Sequence, residues 1–256
     1  MELRENRFKR ALRDGRRQIG LWTQLCSGTV AEILADSGYD WLVIDTEHAP
    51  NELPNVVEQL RALEGTSVTP IVRPAWNDAV LFKRLLDVGV QTLVVPYVQS
   101  AEEAARAVAA TRYPPVGVRG VAVTHRANRY GRVKDYSRRA HEEICVIVQL
   151  ETRAALSQLE AIAAVEGVDG LFVGPSDLAA DLGHLGDNRH PDVQKVIAET
   201  CARCRRSGKP VGILAPVQED AHRFLDLGFS FVGVGSDAGV LRDAAERLRR
   251  SFEPEP

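Results

Sequence analysis

Short, continuously apolar runs alternate along this chain with longer stretches in which apolar residues recur every three or four positions. The runs fall at residues 19–25, 41–45, 70–73, 92–96, 145–150, 170–174, 211–215 and 231–235. Most are rich in Val, Ile and Leu without polar alternation, the pattern of strands covered on both faces. Helical periodicity occupies 29–37, 51–63, 78–88, 101–112, 153–165, 192–206, 218–227 and 237–250. The punctuation agrees: Thr29 and Asp78 stand where N-caps belong, and Gly38, Gly65, Gly89, Gly208 and Gly228 stand just past helix ends.

Eight strand–helix units demand right-handed crossovers and a parallel sheet. The predicted fold class is α/β, a (β/α)8 TIM barrel, for which 256 residues in one domain is an ordinary size. No linker or composition break interrupts the chain, so residues 1–256 read as a single domain. An open doubly wound sheet would want a glycine-rich fingerprint after its first strand, and IGLWTQLCSG is not one. Residues 113–140 exceed an ordinary loop and predict a lid or insertion over the barrel mouth.

Charge and composition narrow the class. A formal net charge of −3 gives no pull toward nucleic acid or an acidic membrane. No apolar run approaches a membrane span, and the charged N-terminal stretch lacks the core of a secretory signal, so a cytoplasmic protein is expected. Cys145 sits in an apolar run and reads as buried. Cys201 and Cys204 form a lone CxxC in a polar helical stretch, with no second pair to complete a zinc site, and read as bland surface.

Barrels of this kind carry their chemistry at the C-terminal ends of the strands. Those ends read Trp22, then Asp45-Thr46-Glu47-His48, Arg73, Gln149 with Glu151, Gly174-Pro175-Ser176-Asp177, and Ser236-Asp237. Glu151 and Asp177 end neighbouring strands, and two carboxylates without cysteine suit a hard cation such as Mg2+ or Mn2+. Asp177 also reads as the N-cap of a short helix, and Glu151 as a helix-start acid. Arg73 could pair with a carboxylate, or hold an anionic substrate and stabilise an enolate oxygen. His48 is the natural general acid/base candidate. Of the other histidines, His141, His184, His190 and His222 read as solvated, and His125 in the 113–140 segment is the one to test. The GVGSDAG stretch at 233–239 reads as a phosphate cup or, more simply, as a tight turn into the last helix. All five lysines (Lys9, Lys83, Lys134, Lys195 and Lys209) avoid the strand ends, so Schiff-base chemistry is not expected.

Taken in order, IGLWTQL, DWLVIDTEHAPN, PIVRPAWND, LLDVGVQTLVVPYV, TRYPPVGVRGV, VQLET, EGVDGLFVGPSDLAADLG and GILA resemble the HpcH/HpaI aldolase family, class II pyruvate aldolases, over residues 8–250. The resemblance implies a barrel of the phosphoenolpyruvate/pyruvate-domain type. It implies a divalent metal (Mg2+, Mn2+ or Co2+) on Glu151 and Asp177, Arg73 on the keto or enolate oxygen, and His48 as acid/base. It implies substrate contacts from Trp22, Gln149, Gly174, Pro175, Ser176, Asp177 and Leu214, with backbone N–H groups near Ser176 and Asp177 on the pyruvate carboxylate. It also implies a role in aromatic-compound catabolism and a homo-oligomer, a hexamer with exchanged C-terminal helices.

The family treats Asp87 as the partner of the catalytic histidine. In the strand map Asp87 lies before strand four, at the far end of its own barrel, so it is expected to reach the partner subunit's His48. Two features depart from the family pattern. Thr46 replaces a glycine, and VAVTHRANRYGR follows Arg119-Gly120 where small residues are usual. The expected reaction is cleavage of a 4-hydroxy-2-oxo acid to pyruvate and an aldehyde. The competing expectations are a lyase acting on an acyl-CoA, with Arg126, Arg129 and Arg132 holding the CoA adenine, and a non-catalytic barrel subunit.

Overall fold

The computed structural model describes residues 1–252, in which eight parallel strands pair in chain order until the eighth meets the first, closing a barrel. The strands are β1 (Gln18–Thr23), β2 (Trp41–Asp45), β3 (Thr69–Arg73), β4 (Thr92–Val95), β5 (Cys145–Leu150), β6 (Gly170–Val173), β7 (Val211–Leu214) and β8 (Phe231–Ser236). Around them run α1 (Arg7–Arg13), α2 (Gly28–Ala35), α3 (Leu53–Ala62), α4 (Ala79–Asp87), α5 (Ala101–Thr111), α6 (Tyr136–Glu143), α7 (Arg153–Ser157), α8 (Leu159–Ala164), α9 (Pro175–Asp181), α10 (Pro191–Arg206), α11 (Gln218–Leu227) and α12 (Asp237–Arg250). Among the described residues no helix is long and apolar enough to cross a membrane.

The barrel interior is filled, not open. Trp22, Trp41, Phe172 and Phe231 pack edge-on and tilted at centroid distances of 5.5–6.3 Å. Glycines in the strands make room for them: a Cβ on Gly20 would lie 2.0 Å from the Trp41 ring, and one on Gly212 2.1 Å from Phe231. Helix α1, which periodicity alone does not reveal, plugs the foot of the barrel with Phe8 and Leu12. Asn6 caps it, accepting from the Lys9 amide at 3.0 Å.

Several elements differ from expectation for local reasons. Ser27 rather than Thr29 caps α2. The first strand ends at Thr23 because the Gln24 and Leu25 amides turn to the Asp237 carboxylate, at 2.8 and 3.1 Å. The helix expected over 153–165 breaks at Gln158 into α7 and α8. Cys201 and Cys204 are not surface residues: both are buried, on the α10 stripe with Val193, Ile197 and Thr200 that faces the sheet. Cys145 is buried as expected.

The 113–140 segment does not cover its own barrel's mouth. The Ala127 amide donates to the Asp87 carbonyl at 3.0 Å, Arg126 donates to the Val88 carbonyl at 2.9 Å, and Arg126 and Arg129 pair with Glu64. Glu64 and Val88 precede β3 and β4, so the segment lies at the N-terminal foot. These contacts remove Arg126 and Arg129 from any acyl-CoA site at this chain's mouth.

Candidate active site

The ends of β2 and β3 lie in register, with Asp45 opposite Arg73. Arg73 Nε donates to Asp45 Oδ1 at 2.9 Å and Nη2 donates to Oδ2 at 2.6 Å, while Nη1 lies 3.1 Å from Glu47 Oε2. Asp45 is fully buried. Burial alone would push its carboxyl up, but the Arg73 guanidinium and the Glu47 and His48 amides outweigh that and hold it below the usual range. A buried polar chain backs this corner. Thr23 donates to Gln59 at 2.8 Å, Gln59 to Asn51 at 2.7 Å, and Asn51 to the Asp45 carbonyl at 2.8 Å.

Across the mouth, Glu151 is almost fully buried. Its Oε2 accepts from the Tyr97 amide at 2.9 Å, presented by a left-handed backbone at Tyr97 (φ 56°), and its Oε1 accepts from Gln149 Nε2 at 2.6 Å. Burial, reinforced by the negative charges of Asp177 and Glu47, pushes its carboxyl up to about 7 against the pull of the Tyr97 amide and Arg73. Gly174 gives this carboxylate its space, since a Cβ there would sit 2.3 Å from Glu151 Oε1. Gly174 is also the N-cap of α9, with Pro175 next, so Asp177 is the third residue of that helix rather than its cap.

Glu151, Asp177, Arg73, Gln149 and His48 all line one cavity of about 410 Å³, walled by Trp22, Phe172, Pro175 and Leu214. The His48 side chain is 60% exposed, its Nε2 3.7 Å from Glu47 Oε2. Gln149 Oε1 is buried without a hydrogen-bond partner. A crowd of carboxylates around one guanidinium, with an orphaned amide oxygen beside them and no sulfur or imidazole in the pair, fits a hard divalent cation.

The model of the HpcH/HpaI aldolase/citrate lyase family matches residues 18–244. A relative from Citrobacter koseri, a 5-keto-4-deoxy-D-glucarate aldolase, is 52% identical over 97% of this chain and 96% of its own. A family protein of known structure from Burkholderia cenocepacia superposes with a TM-score of 0.93 at 42% identity, covering 97% of this chain and all of that one. An HpcH/HpaI aldolase from Desulfitobacterium hafniense gives 0.90 at 26% identity, over 97% of each chain. The chain belongs to the HpcH/HpaI aldolase/citrate lyase family. It is an enzyme of the carbon–carbon lyase class.

Within this HpcH/HpaI barrel, Asp45, Thr46, Glu47 and Asp237 stay outside the cavity, which is lined by the other expected residues Trp22, His48, Arg73, Gln149, Glu151, Gly174, Pro175, Ser176, Asp177, Leu214 and Ser236. Asp87 is not among them. It ends α4 at the foot, where Arg119 Nη2 donates to it at 2.7 Å. Asp45 and Glu47 were legible as strand-end residues, but their hold on Arg73 was not assigned. The signal was available, since opposite charges end two adjacent strands. The 233–239 stretch is the tight turn: Ser236 caps α12 and Asp237 spends its carboxylate on amides. His125 is buried. His184 and His190 are only half-solvated, with rings stacked at 3.6 Å, and His190 Nδ1 caps α10 by accepting from the Asp192 amide.

Proposed function

We propose that the enzyme is a divalent-metal class II aldolase that cleaves a 4-hydroxy-2-oxo sugar diacid, of the 5-keto-4-deoxy-D-glucarate type, between C3 and C4. The products are pyruvate and a hydroxylated aldehyde acid. The substrate class follows the relative from Citrobacter koseri, and it supplants aromatic-compound catabolism, which no relative named above supports. The observation that carries the reading is the buried Glu151 carboxylate sharing one cavity with Asp177 and Arg73.

Glu151 and Asp177 would hold the metal, of which Mg2+, Mn2+ and Co2+ are the candidates. When bound, it would supply Lewis-acid polarisation of the 2-oxo group. Arg73 places a fixed positive charge where enolate charge develops, and its pairing with Asp45 holds it there before substrate arrives. Gln149 orients Glu151. Ser176 and Asp177 line the cavity in the first turn of α9, where N–H groups lack intrahelical acceptors, and these N–H groups would be the donors to the pyruvate carboxylate. The His48 imidazole takes the proton from the C4 hydroxyl, and bond cleavage leaves the electron pair on the pyruvate fragment, which is then protonated at carbon. Trp22, Phe172 and Leu214 keep bulk water from the enolate.

Two surface features support a homo-oligomer. From Val240 onward every described residue of α12 is exposed, including Val240, Leu241 and Leu248. An apolar helix face left uncovered suits exchange with a second copy, in a homohexamer. Asp87, remote from this chain's mouth, would then serve the partner subunit's His48.

The deciding experiment is metal-dependent pyruvate release from a panel of 4-hydroxy-2-oxo acids, with Glu151→Gln as control. The expected result is highest kcat/KM on the six-carbon diacid and none in Glu151→Gln. Wild-type-like turnover by metal-free Glu151→Gln would overturn the reading.

A further inference from the structure

At the foot of the barrel, opposite this chain's catalytic mouth, five guanidinium groups, one of them that of Arg61 on α3, surround two adjoining cavities of about 320 and 240 Å³. Arg4 and Arg7 come from the N-terminal segment and the start of α1, and Arg126 and Arg129 from the 113–140 segment. Glu64 is the one lining carboxylate that answers them, 2.7 Å from Arg129 Nη1 and 3.1 Å from Arg126 Nη2. Glu5 also lines the larger cavity, but its carboxylate lies 2.8 Å from Arg10. Arg7 Nη1 donates to the Thr66 carbonyl at 3.1 Å. The Arg4 guanidinium has no hydrogen-bond or ion-pair partner among the described residues, while its backbone is tied to the cavity wall by Gln91 Nε2, donating to the Arg4 carbonyl at 2.6 Å.

This concentration of positive charge stands in a chain whose net charge is −3. Partial burial, then the charges of Arg129, Arg126 and Arg7, hold the Arg4 pKa down against the pull of Glu64. Like charges held together in a concave, low-dielectric wall focus positive potential on the space between them. Guanidinium groups pair two-point with carboxylate and phosphate oxygens.

We infer that the barrel foot is a binding site for a small, multiply charged oxyanion, a phosphate ester or a di- or tricarboxylate, held by Arg4 and Arg129 with Arg7 and Arg126 on its flanks. An occupant spanning Arg4 and Arg129 joins the N-terminal segment to the 113–140 segment and stabilises both. The site is separate from this chain's own catalytic mouth and needs no metal.

The test is calorimetric titration of full-length protein, stripped of metal on a chelating resin, with inorganic pyrophosphate and with citrate. Wild type is compared with Arg4→Ala/Arg129→Ala, Arg4→Lys/Arg129→Lys and Arg73→Ala. Saturable binding of either probe is expected, weakened roughly tenfold or more by the alanine pair, partly restored by the lysine pair and unchanged by Arg73→Ala. Binding of pyrophosphate alone marks a phosphate ester, and binding of citrate alone a polycarboxylate. No binding to wild type, binding unchanged in the alanine pair, or loss confined to Arg73→Ala would overturn the inference.

Discussion

Arg73 grips Asp45 at two points, 2.9 and 2.6 Å, across the paired ends of β2 and β3, with the carboxylate fully buried. Asp45→Asn removes the charge but keeps the shape, leaving a cation whose remaining counter-charge is Glu47 at 3.1 Å. Breaking a buried pair from one side costs about 3–5 kcal/mol. The variant is expected to melt at lower temperature and to lose kcat by roughly tenfold or more, because Arg73 can then swing away from the developing charge. Thermal unfolding with steady-state kinetics checks this, and a wild-type kcat in a folded Asp45→Asn protein would show that Arg73 needs no such anchor.

The Glu151 carboxyl, pushed up to about 7 by burial and by Asp177 and Glu47, sets a pH dependence. A raised carboxyl pKa means the native metal-free protein holds a proton that the unfolded chain has released. Its stability therefore falls as pH rises from the ordinary carboxylate range toward 7, and levels above. Metal binding needs the carboxylate, so over the same window it expels that proton. Apparent Mn2+ affinity is expected to climb roughly tenfold per pH unit up to about pH 7 and then flatten. Titration calorimetry in buffers of different ionisation enthalpy reads the released proton directly; pH-independent affinity below neutrality would place the proton elsewhere.

Gly174 tests the site sterically without touching a charge. Its backbone, at φ −88° and ψ 96°, is open to any residue, so the cost of Gly174→Ala is the clash of a Cβ placed 2.3 Å from Glu151 Oε1 and 2.6 Å from its Cγ. The carboxylate must move, taking with it the bonds to Gln149 and the Tyr97 amide. A fold close to wild type by circular dichroism, with metal affinity and kcat each reduced roughly tenfold or more, is the expected outcome. Unaltered metal affinity would argue that Glu151 is not held in the position that binding requires.

The barrel and the mouth were legible because both rest on periodicity: buried strands are apolar throughout, so a polar residue at a strand's C-terminal end announces itself. Asp45, Arg73, Glu151 and Asp177 were all visible in this way. What periodicity does not carry is pairing between particular side chains, so Asp45 read as one of four polar residues rather than as the Arg73 anchor. Helix α1 escaped because its sequence, RFKRALR, shows few apolar residues, and Phe8 and Leu12 gain meaning only beneath Trp41 and Phe231. The 113–140 segment has no period to say which end of the barrel it covers, and that choice is made by Arg126, Arg129 and Glu64. Cys201 and Cys204 were misjudged because the helix is polar on average, although its inward stripe is not.

Asp87 poses the last test. Arg119, its side chain fully buried and its guanidinium 4.5 Å from the Tyr113 ring, fixes one Asp87 oxygen at 2.7 Å, at the foot of a barrel whose chemistry is at the other end. If the carboxylate serves the partner subunit's His48, the two residues belong to one site but to two chains. His48→Ala and Asp87→Asn should each be nearly inactive as pure oligomers. Unfolding and reassembling them together should restore part of the activity, because some mouths then combine an intact His48 from one variant with an intact Asp87 from the other. The measure is pyruvate release by the mixed assembly against each parent, with light scattering to confirm equal oligomer size. Activity no greater than the parents' mean would confine His48 and Asp87 to separate roles, and a fully active Asp87→Asn protein would remove Asp87 from the reaction altogether.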